Sequence, residues 1–352
     1  MKFKSSEILN ISRDFFFDIA LPILQNNLPV IVNESACGFF GYGSECLGMD
    51  DEHSQDHHFG LRINMLTPEN LIKGKKDEIL NKFSEELPAT YQGFSLRSGH
   101  VAGFGITPES LEGFLSRTIG ITSTPKTSVD WLKIPEEDII HVVNGEVWHD
   151  PKNQFSEIRS VLQGYYPDHV WKRRIAHWCR YFSGMGLYAM KRAVLRENWI
   201  YATTAFGRTI KWALELAFLL NRTYFPYDKW LYPFFETLPC LAPQMNPLLK
   251  EAMLDGCCWE RRINIFEHIS DQLDARMVEL ELVPPHLRFT GSITSGYRLL
   301  EHNYAVILKS LPEEIIPIVP LWDQVHLESF HSAYAAQLPI EQWDAVLNLT
   351  TD

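Results

Sequence analysis

The chain has 352 residues, of which 45% are hydrophobic and 22% are charged, and its formal net charge is −12 at pH 7. This composition is ordinary for a globular protein, and the length suits two domains that each bury a hydrophobic core. The acidic excess argues against broad nucleic-acid binding, which requires a basic face, but it leaves room for one basic cleft. No run of about 18 apolar residues suggests a membrane span, and no apolar signal core precedes Glu7, so a cytoplasmic location is expected.

The first 150 residues alternate between helical and strand patterns. Residues 7–26 carry apolar side chains at a helical period, and Pro22 predicts a kink or an early end of that helix. Residues 36–42 then predict a short buried strand that ends in a glycine-rich turn, and residues 58–66 predict a second strand. The pattern therefore favours a mixed α and β domain.

Further along this half, residues 68–86 predict a helix, and residues 131–143 predict a short helix and a strand. Thr107-Pro108-Glu109 is typical of a helix start, because it combines an N-cap residue with proline in the first turn. The same helix is expected to end at Gly120.

Helical patterns dominate from about residue 153 onward. The clearest helix covers Trp199–Thr223, and the prolines between Pro226 and Pro247 predict an irregular connection. We therefore predict an α+β protein, with a mixed sheet and its helices in residues 1–152 and a mostly α-helical domain in residues 153–352.

The stretch from Gly41 to Gly60 is the strongest functional signal. A turn at Gly43 and Ser44 can offer bare backbone N–H groups to a phosphate. Asp56 follows twelve positions after Ser44 and can hold the divalent metal that a triphosphate brings. Two acids one residue apart on a strand point to the same side, which makes residue 58 the partner position. The stretch resembles the nucleotidyltransferases of the polymerase-β-like superfamily, in which a strand and a Gly-Ser turn precede a second strand with two such acids.

A closer resemblance connects most of the chain to one bacterial family, called domain of unknown function 4037. The residues that carry it are Gly41 through Asp50-Asp51, Ser54, Asp56-His57, Gly60 and Arg62, and later the run from Ala217 to Trp230. This resemblance implies a nucleotidyltransferase-like domain followed by a helical part. The resemblance to the nucleotidyltransferases implies ATP or another nucleoside triphosphate as substrate, with Mg²⁺ or Mn²⁺ bound by Asp56 and residue 58.

One position departs from the family pattern, because the second acid is His58 in this chain. Neutral imidazole suits Mn²⁺ better than Mg²⁺, or it leaves one metal position empty. His100 is the one general-base candidate that we find in residues 93–106, where a third acid is expected. Glu146 and Asp150 are an alternative source of that acid. Asp56 and His58 are the predicted catalytic pair.

Three cations complete the predicted nucleotide site. Arg62 can pair with a phosphate or form a salt bridge with Asp56. In related two-domain enzymes the helical domain contributes cations to the phosphates, which makes Lys211 and Lys229 candidates; each can instead cover an aromatic surface with its aliphatic stem.

The sequence therefore predicts a protein that binds a nucleoside triphosphate and a divalent metal in a cleft between its domains. It would transfer a nucleotidyl group to a small-molecule or protein acceptor whose identity stays unknown. The alternative is a catalytically impaired nucleotide-binding or interaction module. On either prediction, Ser44 should begin a helical turn, and Asp56 should lie on or just before the neighbouring strand.

Overall fold

The computed structural model describes residues 7–55, 60–96, 105–285 and 298–316. The described residues form two compact units, one up to Tyr165 and one from Tyr166 onward. The first unit mixes strands and helices and the second is helical, which confirms the predicted α+β class. The boundary expected at residue 152 precedes helix α9 (Gln154–Gln163), and this helix belongs to the first unit.

The chain begins with a long helical segment that contains a π-helical turn. Helix α1 (Glu7–Phe15) continues through the π-helical residues Phe16–Ala20 into α2 (Leu21–Asn27). Proline lacks an N–H group and its ring displaces the carbonyl of the preceding turn, so a wider turn just before Pro22 accommodates it. The helix therefore does not end at Pro22. Helix α3 (Pro29–Asn33) follows.

A four-stranded mixed sheet forms the centre of the first unit. In chain order the strands are β1 (Ala36–Phe39), β2 (Ile63–Thr67), the short hairpin pair β3 (Thr90–Tyr91) and β4 (Phe94–Ser95), β5 (Ile106–Ser110) and β6 (Glu146–His149). The order across the sheet is β5-β2-β1-β6, and β3 and β4 form a separate two-stranded sheet. Strand β1 is antiparallel to both β2 and β6, whereas β2 and β5 are parallel. Every residue of β1 and β2 is buried, as expected for central strands covered on both faces.

The segment Thr107-Pro108-Glu109 is part of strand β5, so the predicted helix start there is wrong. Its pairing with β2 dominates the local helix signal, and Pro108 is tolerated because β5 is an edge strand. Helix α6 (Leu111–Ile119) begins one residue after Ser110, whose Oγ accepts the Gly113 N–H at 3.0 Å. The predicted end at Gly120 is confirmed, since Gly120 adopts a left-handed conformation.

Short helices occupy the remaining part of the first unit. The predicted helix over 68–86 is split into α4 (Glu69–Ile72) and α5 (Lys76–Glu86), with Gly74 at a φ of 72° between them. Residues 131–143 hold no strand; they contain the end of α7 (Ser128–Lys133), a turn, and α8 (Ile140–Val143). Helix α9 packs against α8 and β1.

The second unit contains α10 (Asp168–Arg180), a π-helical segment (Tyr181–Tyr188), α11 (Ala189–Leu195), α12 (Trp199–Leu220), α13 (Asp228–Phe235), α14 (Ala242–Ala252), α15 (Trp259–Glu279) and α16 (Arg298–Lys309). Helix α12 packs against the π-helical segment and against four of the helices, α10, α11, α13 and α15. The irregular connection predicted from the prolines is wrong, because Pro233 lies inside α13 and Pro247 inside α14. Buried side chains such as Phe235 and Met245 stabilise these two helices through packing. Among the described helices, none combines the length and the apolar character that a bilayer crossing requires.

Candidate functional site

The glycine-rich turn leaves strand β1 and leads into a short 3₁₀ helix. Gly41 and Gly43 have φ values of 97° and 144°, which favour glycine. Ser44 comes next and directly precedes the 3₁₀ helix Glu45–Leu47, so it begins a helical turn as predicted. Its carbonyl accepts the N–H groups of Leu47 at 3.1 Å and Met49 at 3.0 Å. The residues after β1 therefore form a compact, hydrogen-bonded turn.

Side chains in α8 and at its C-terminal end contact the backbone of this turn. The Gly41 N–H donates to Asn144 Oδ1 at 3.0 Å, and Asn144 Nδ2 donates to the Gly41 carbonyl at 2.7 Å. His141 Nδ1 lies 3.3 Å from the same carbonyl. Sequence reasoning missed both residues, although they are the polar positions in the apolar run 139–144, and that interruption is a usable signal.

The carboxylate of Glu45 lies over Gly43. A Cβ atom added to Gly43 would stand 2.8 Å from the Glu45 carboxyl atoms, so the absence of a side chain admits this carboxylate. Glu45 is only 8% exposed, and its Oε1 lies 3.3 Å from Arg62 Nη1. The space beside Gly43 therefore contains a negative charge that is paired with Arg62.

The guanidinium of Arg62 lies between the turn and strand β1. Arg62 Nη2 donates to Cys46 Sγ at 3.0 Å, and the guanidinium carbon lies 4.2 Å from the centre of the Phe39 ring. Arg62 Nε is buried without a hydrogen-bond partner among the described residues. Arg62 is thus held against the 3₁₀ helix by Glu45 and Cys46 and against β1 by Phe39, with one nitrogen unsatisfied.

The predicted metal ligands Asp56 and His58 lie outside the described residues, as does His100. Their distances from Ser44 are consequently not defined, and the metal site stays a prediction. Within the described ranges, no group of three histidine, cysteine or acidic residues could hold a metal ion.

The two alternative acids both have local partners. Glu146, on β6, accepts hydrogen bonds from Arg13 Nη1 and Trp148 Nε1, each at 2.8 Å. Asp150 accepts the Ser156 N–H at 2.8 Å and so caps the start of α9. These contacts give both carboxylates a structural role within the first unit.

The comparison with known proteins concerns the middle of the chain. Residues 131–231 match the model of the family described as Domain of unknown function (DUF4037). The match begins within α7 and ends within α13, so the turn at Gly41 and Arg62 lie outside it. No match was found among curated proteins or among solved structures.

Lys211 and Lys229 lie within the DUF4037 match, in the second unit. Lys211 Nζ is 2.6 Å from Asp228 Oδ1 and 3.7 Å from Glu215 Oε1. Lys229 is exposed, and its Nζ lies 5.0 Å from the centre of the Trp230 ring. A phosphate would therefore compete with two carboxylates for Lys211, whereas Lys229 interacts with an aromatic side chain.

An acid that titrates near neutral pH lies close to the turn. Burial, and then the charge of Glu137, raises the pKa of Asp138 to about 7. Burial lowers the pKa of His141 to about 4. The ring of Tyr42 lies 5.0 Å from that of His141, and burial followed by the charges of Asp138 and Glu137 raises the pKa of Tyr42. Sequence reasoning missed Asp138, because its burial depends on the packing of residues distant in the chain.

Proposed function

We propose that this protein binds a nucleoside triphosphate at the turn Gly41–Leu47 and transfers its nucleotidyl group to a hydroxyl or amine of a small molecule or protein. The turn itself supports the proposal best. Two glycines with positive φ and a helical turn that begins after Ser44 stand between the antiparallel strands β1 and β2. This is the order of turn and strands in the nucleotidyltransferases that the sequence resembles, but β2 begins at Ile63, whereas the strand that should follow the turn is predicted over 58–66.

In the proposed reaction, an oxygen or nitrogen of the acceptor attacks the α-phosphorus of the triphosphate. The bond between the α-phosphorus and the bridging oxygen breaks, pyrophosphate leaves, and the acceptor loses a proton. Asp56 and His58 would hold Mg²⁺ or Mn²⁺, which supplies charge neutralisation to the phosphates. A carboxylate suits either ion, whereas the imidazole favours Mn²⁺.

Glu45 determines how a phosphate could enter this site. A carboxylate beside Gly43 repels a phosphate, so binding requires the Glu45 side chain to move away from the turn. That movement would release Arg62 from its ion pair, and its guanidinium could then pair with phosphate oxygens. The pair of Glu45 and Arg62 would thus act as a closed state that the nucleotide opens.

The second candidate function is a nucleotide-binding or interaction module without catalysis. The replacement of the second acid by His58 favours it, because one metal position then lacks a negative ligand. The ion pair that covers the turn agrees with it as well. The enzyme and a nucleotide-binding module differ in turnover and agree in nucleotide binding, whereas an interaction module requires no nucleotide.

Three measurements test the proposal and separate the candidates. Thermal unfolding with ATP or GTP, each with Mg²⁺ or Mn²⁺, should show a higher melting temperature by mass action. The Gly43→Ala variant should lose this shift, because its Cβ would occupy the space beside the turn, while Gly93→Ala, whose Cβ would meet nothing within 4 Å, should keep it. Calorimetry that detects no binding of any nucleotide at millimolar concentration would overturn the proposal.

Transfer of label from ATP to an acceptor, lost in Asp56→Ala, would establish the enzyme, and binding without any transfer would establish the module. The same titrations on Lys211→Ala and Lys229→Ala test the predicted phosphate contacts.

A further inference from the structure

A second polar site lies between strand β6 and helix α9. An open cavity of ≈ 390 Å³ is lined by Gly145, Glu146, Val147, Ser156, Arg159 and Gln163. The last three are three and four positions apart on α9, so they share one face of that helix. All six residues belong to the first unit. The cavity is thus formed by the edge strand β6 of the sheet and by one polar face of α9.

Arg159 is the unusual member of this lining. Its side chain is held by Nη2, which donates to the carbonyls of Val143 at 3.0 Å and Gly145 at 2.7 Å. The residue is only 8% exposed, and Nη1 is buried without a hydrogen-bond partner among the described residues. The guanidinium is therefore fixed in position with part of its donor capacity unused.

No carboxylate of the described chain forms an ion pair with Arg159. Glu146 lines the same cavity, but its carboxylate already accepts hydrogen bonds from Arg13 and Trp148. Burial lowers the pKa of Arg159 to about 10, which leaves the group charged at neutral pH. The charge of Glu146 favours the charged form of Arg159, but no carboxylate of the described chain hydrogen-bonds to the guanidinium. A buried charge without a hydrogen-bonded counter-ion is costly, and a bound anion would relieve that cost.

We propose that this cavity binds the oxyanion group, phosphate or carboxylate, of a small molecule, with Arg159 as its counter-ion. The Ser156 hydroxyl provides a further donor from the same helix face, and so does the Gln163 carboxamide, whose Nε2 also donates to the Val143 carbonyl at 3.3 Å. The cavity volume falls in the range of small-molecule sites. The proposal does not depend on nucleotide binding at Gly43, because it involves a different set of side chains.

The test is thermal unfolding of the full chain in sodium phosphate, sodium acetate and sodium chloride at equal ionic strength. An oxyanion should raise the melting temperature above the chloride value, and Ser156→Ala and Gln163→Ala should each reduce that shift by at least about half. Arg159→Lys should abolish the shift, because lysine keeps the charge but loses the forked donors. Ser160→Ala is the matched control on α9, since Ser160 does not line the cavity. A shift with phosphate alone assigns a phosphate ligand, and one with acetate assigns a carboxylate.

Three results would overturn the proposal. The first is an absence of any oxyanion effect beyond chloride. The second is an equal loss of the shift in Ser160→Ala, which would indicate a general change of α9. The third is a shift that Gly43→Ala abolishes and that Ser156→Ala and Gln163→Ala leave intact, which would assign the anion to the turn. Because Ser156 and Gln163 are not buried, these two variants remain informative even if Arg159→Lys fails to fold.

Discussion

Gly41 and Asn144 exchange two hydrogen bonds across 103 positions of the chain, one in each direction. Asn144 is fully buried, so its carboxamide has no water to replace these partners. The conformation of the glycine turn is consequently set by α8 as well as by the glycines themselves. A functional turn near the start of the chain thus depends on a residue that is synthesised much later.

Asn144→Ala should destabilise the first unit. The substitution leaves the Gly41 N–H without its side-chain partner and leaves the Gly41 carbonyl with His141 alone, and a buried unsatisfied group costs about 1–3 kcal/mol. Urea unfolding monitored by circular dichroism measures the loss. Asn81→Ala, at an exposed position of α5, is the control and should change the unfolding free energy by less than about 0.5 kcal/mol. Equal effects of the two substitutions would refute the role of Asn144.

Glu45→Gln should strengthen nucleotide binding. The variant keeps the size of the side chain but removes the negative charge beside Gly43 and releases Arg62 from its ion pair. We expect the Kd for ATP to fall by about tenfold, which corresponds to about 1.4 kcal/mol. Titration calorimetry measures this change. Glu109→Gln removes the carboxylate of another ion pair in the same unit, with Arg117 at 2.8 Å, and should leave the affinity unchanged. Weaker binding by Glu45→Gln would show that its carboxylate supports the site.

Asp138→Asn and His141→Gln should change the pH dependence of stability in opposite directions. The pKa of Asp138 is raised from 3.8 to about 7, so the folded state holds this proton more tightly and its stabilising contribution is lost as the pH rises from about 4 to 7. The pKa of His141 is lowered from 6.5 to about 4, so its contribution is lost as the pH falls from about 6.5 to 4. The two contributions oppose each other in the native protein.

With Asp138→Asn the unfolding free energy should therefore rise more steeply between pH 4 and 7 than in the native protein. With His141→Gln the unfolding free energy should rise less between pH 4 and 7 than in the native protein, or it should fall. Urea unfolding at intervals of half a pH unit gives both profiles. Profiles parallel to that of the native protein would mean that neither group has the pKa described above.

His58→Asp tests whether the departure from the family pattern limits catalysis. A carboxylate at this position would give the metal site a second negative ligand, so Mg²⁺ affinity and nucleotidyl transfer should both increase. If His58 is instead a ligand suited to Mn²⁺, the substitution should lower the activity with Mn²⁺. Label transfer from ATP with each ion separates these outcomes, and Asp56→Ala provides the inactive reference. No activity in any variant with either ion would favour the binding module.

Features encoded by neighbouring residues could be predicted from the sequence. The turn at Gly43 and Ser44 and the end of α6 at Gly120 depend on glycine conformations and short-range hydrogen bonds, and both are found where expected. The prediction of a helix start at Thr107 was wrong because this segment pairs with β2, and that pairing joins residues that are distant in sequence. The irregular connection predicted around Pro233 and Pro247 was wrong for a similar reason. Each proline does weaken a helix locally, but packing against residues distant in the chain compensates for it.

The candidate site divides in the same way. Gly43, Ser44 and Arg62 belong to a continuous motif and were visible in the sequence. Asn144, Asp138 and Arg159 contribute through burial and through contacts with residues far away in the chain, and no local pattern encodes such contacts. Glu45 lies inside the motif, yet the direction of its side chain over Gly43 depends on Arg62 in the next strand region.

The pairing of β6 with β1 has a consequence for anyone who wishes to express part of this protein. The segment 131–231 that matches the family model carries β6 but lacks β1, so a fragment with these ends would present a strand without its ladder partner. Unpaired strand edges promote association between chains. A fragment that keeps this pairing must include β1, which begins at Ala36, and among the described residues the first unit begins with α1 at Glu7.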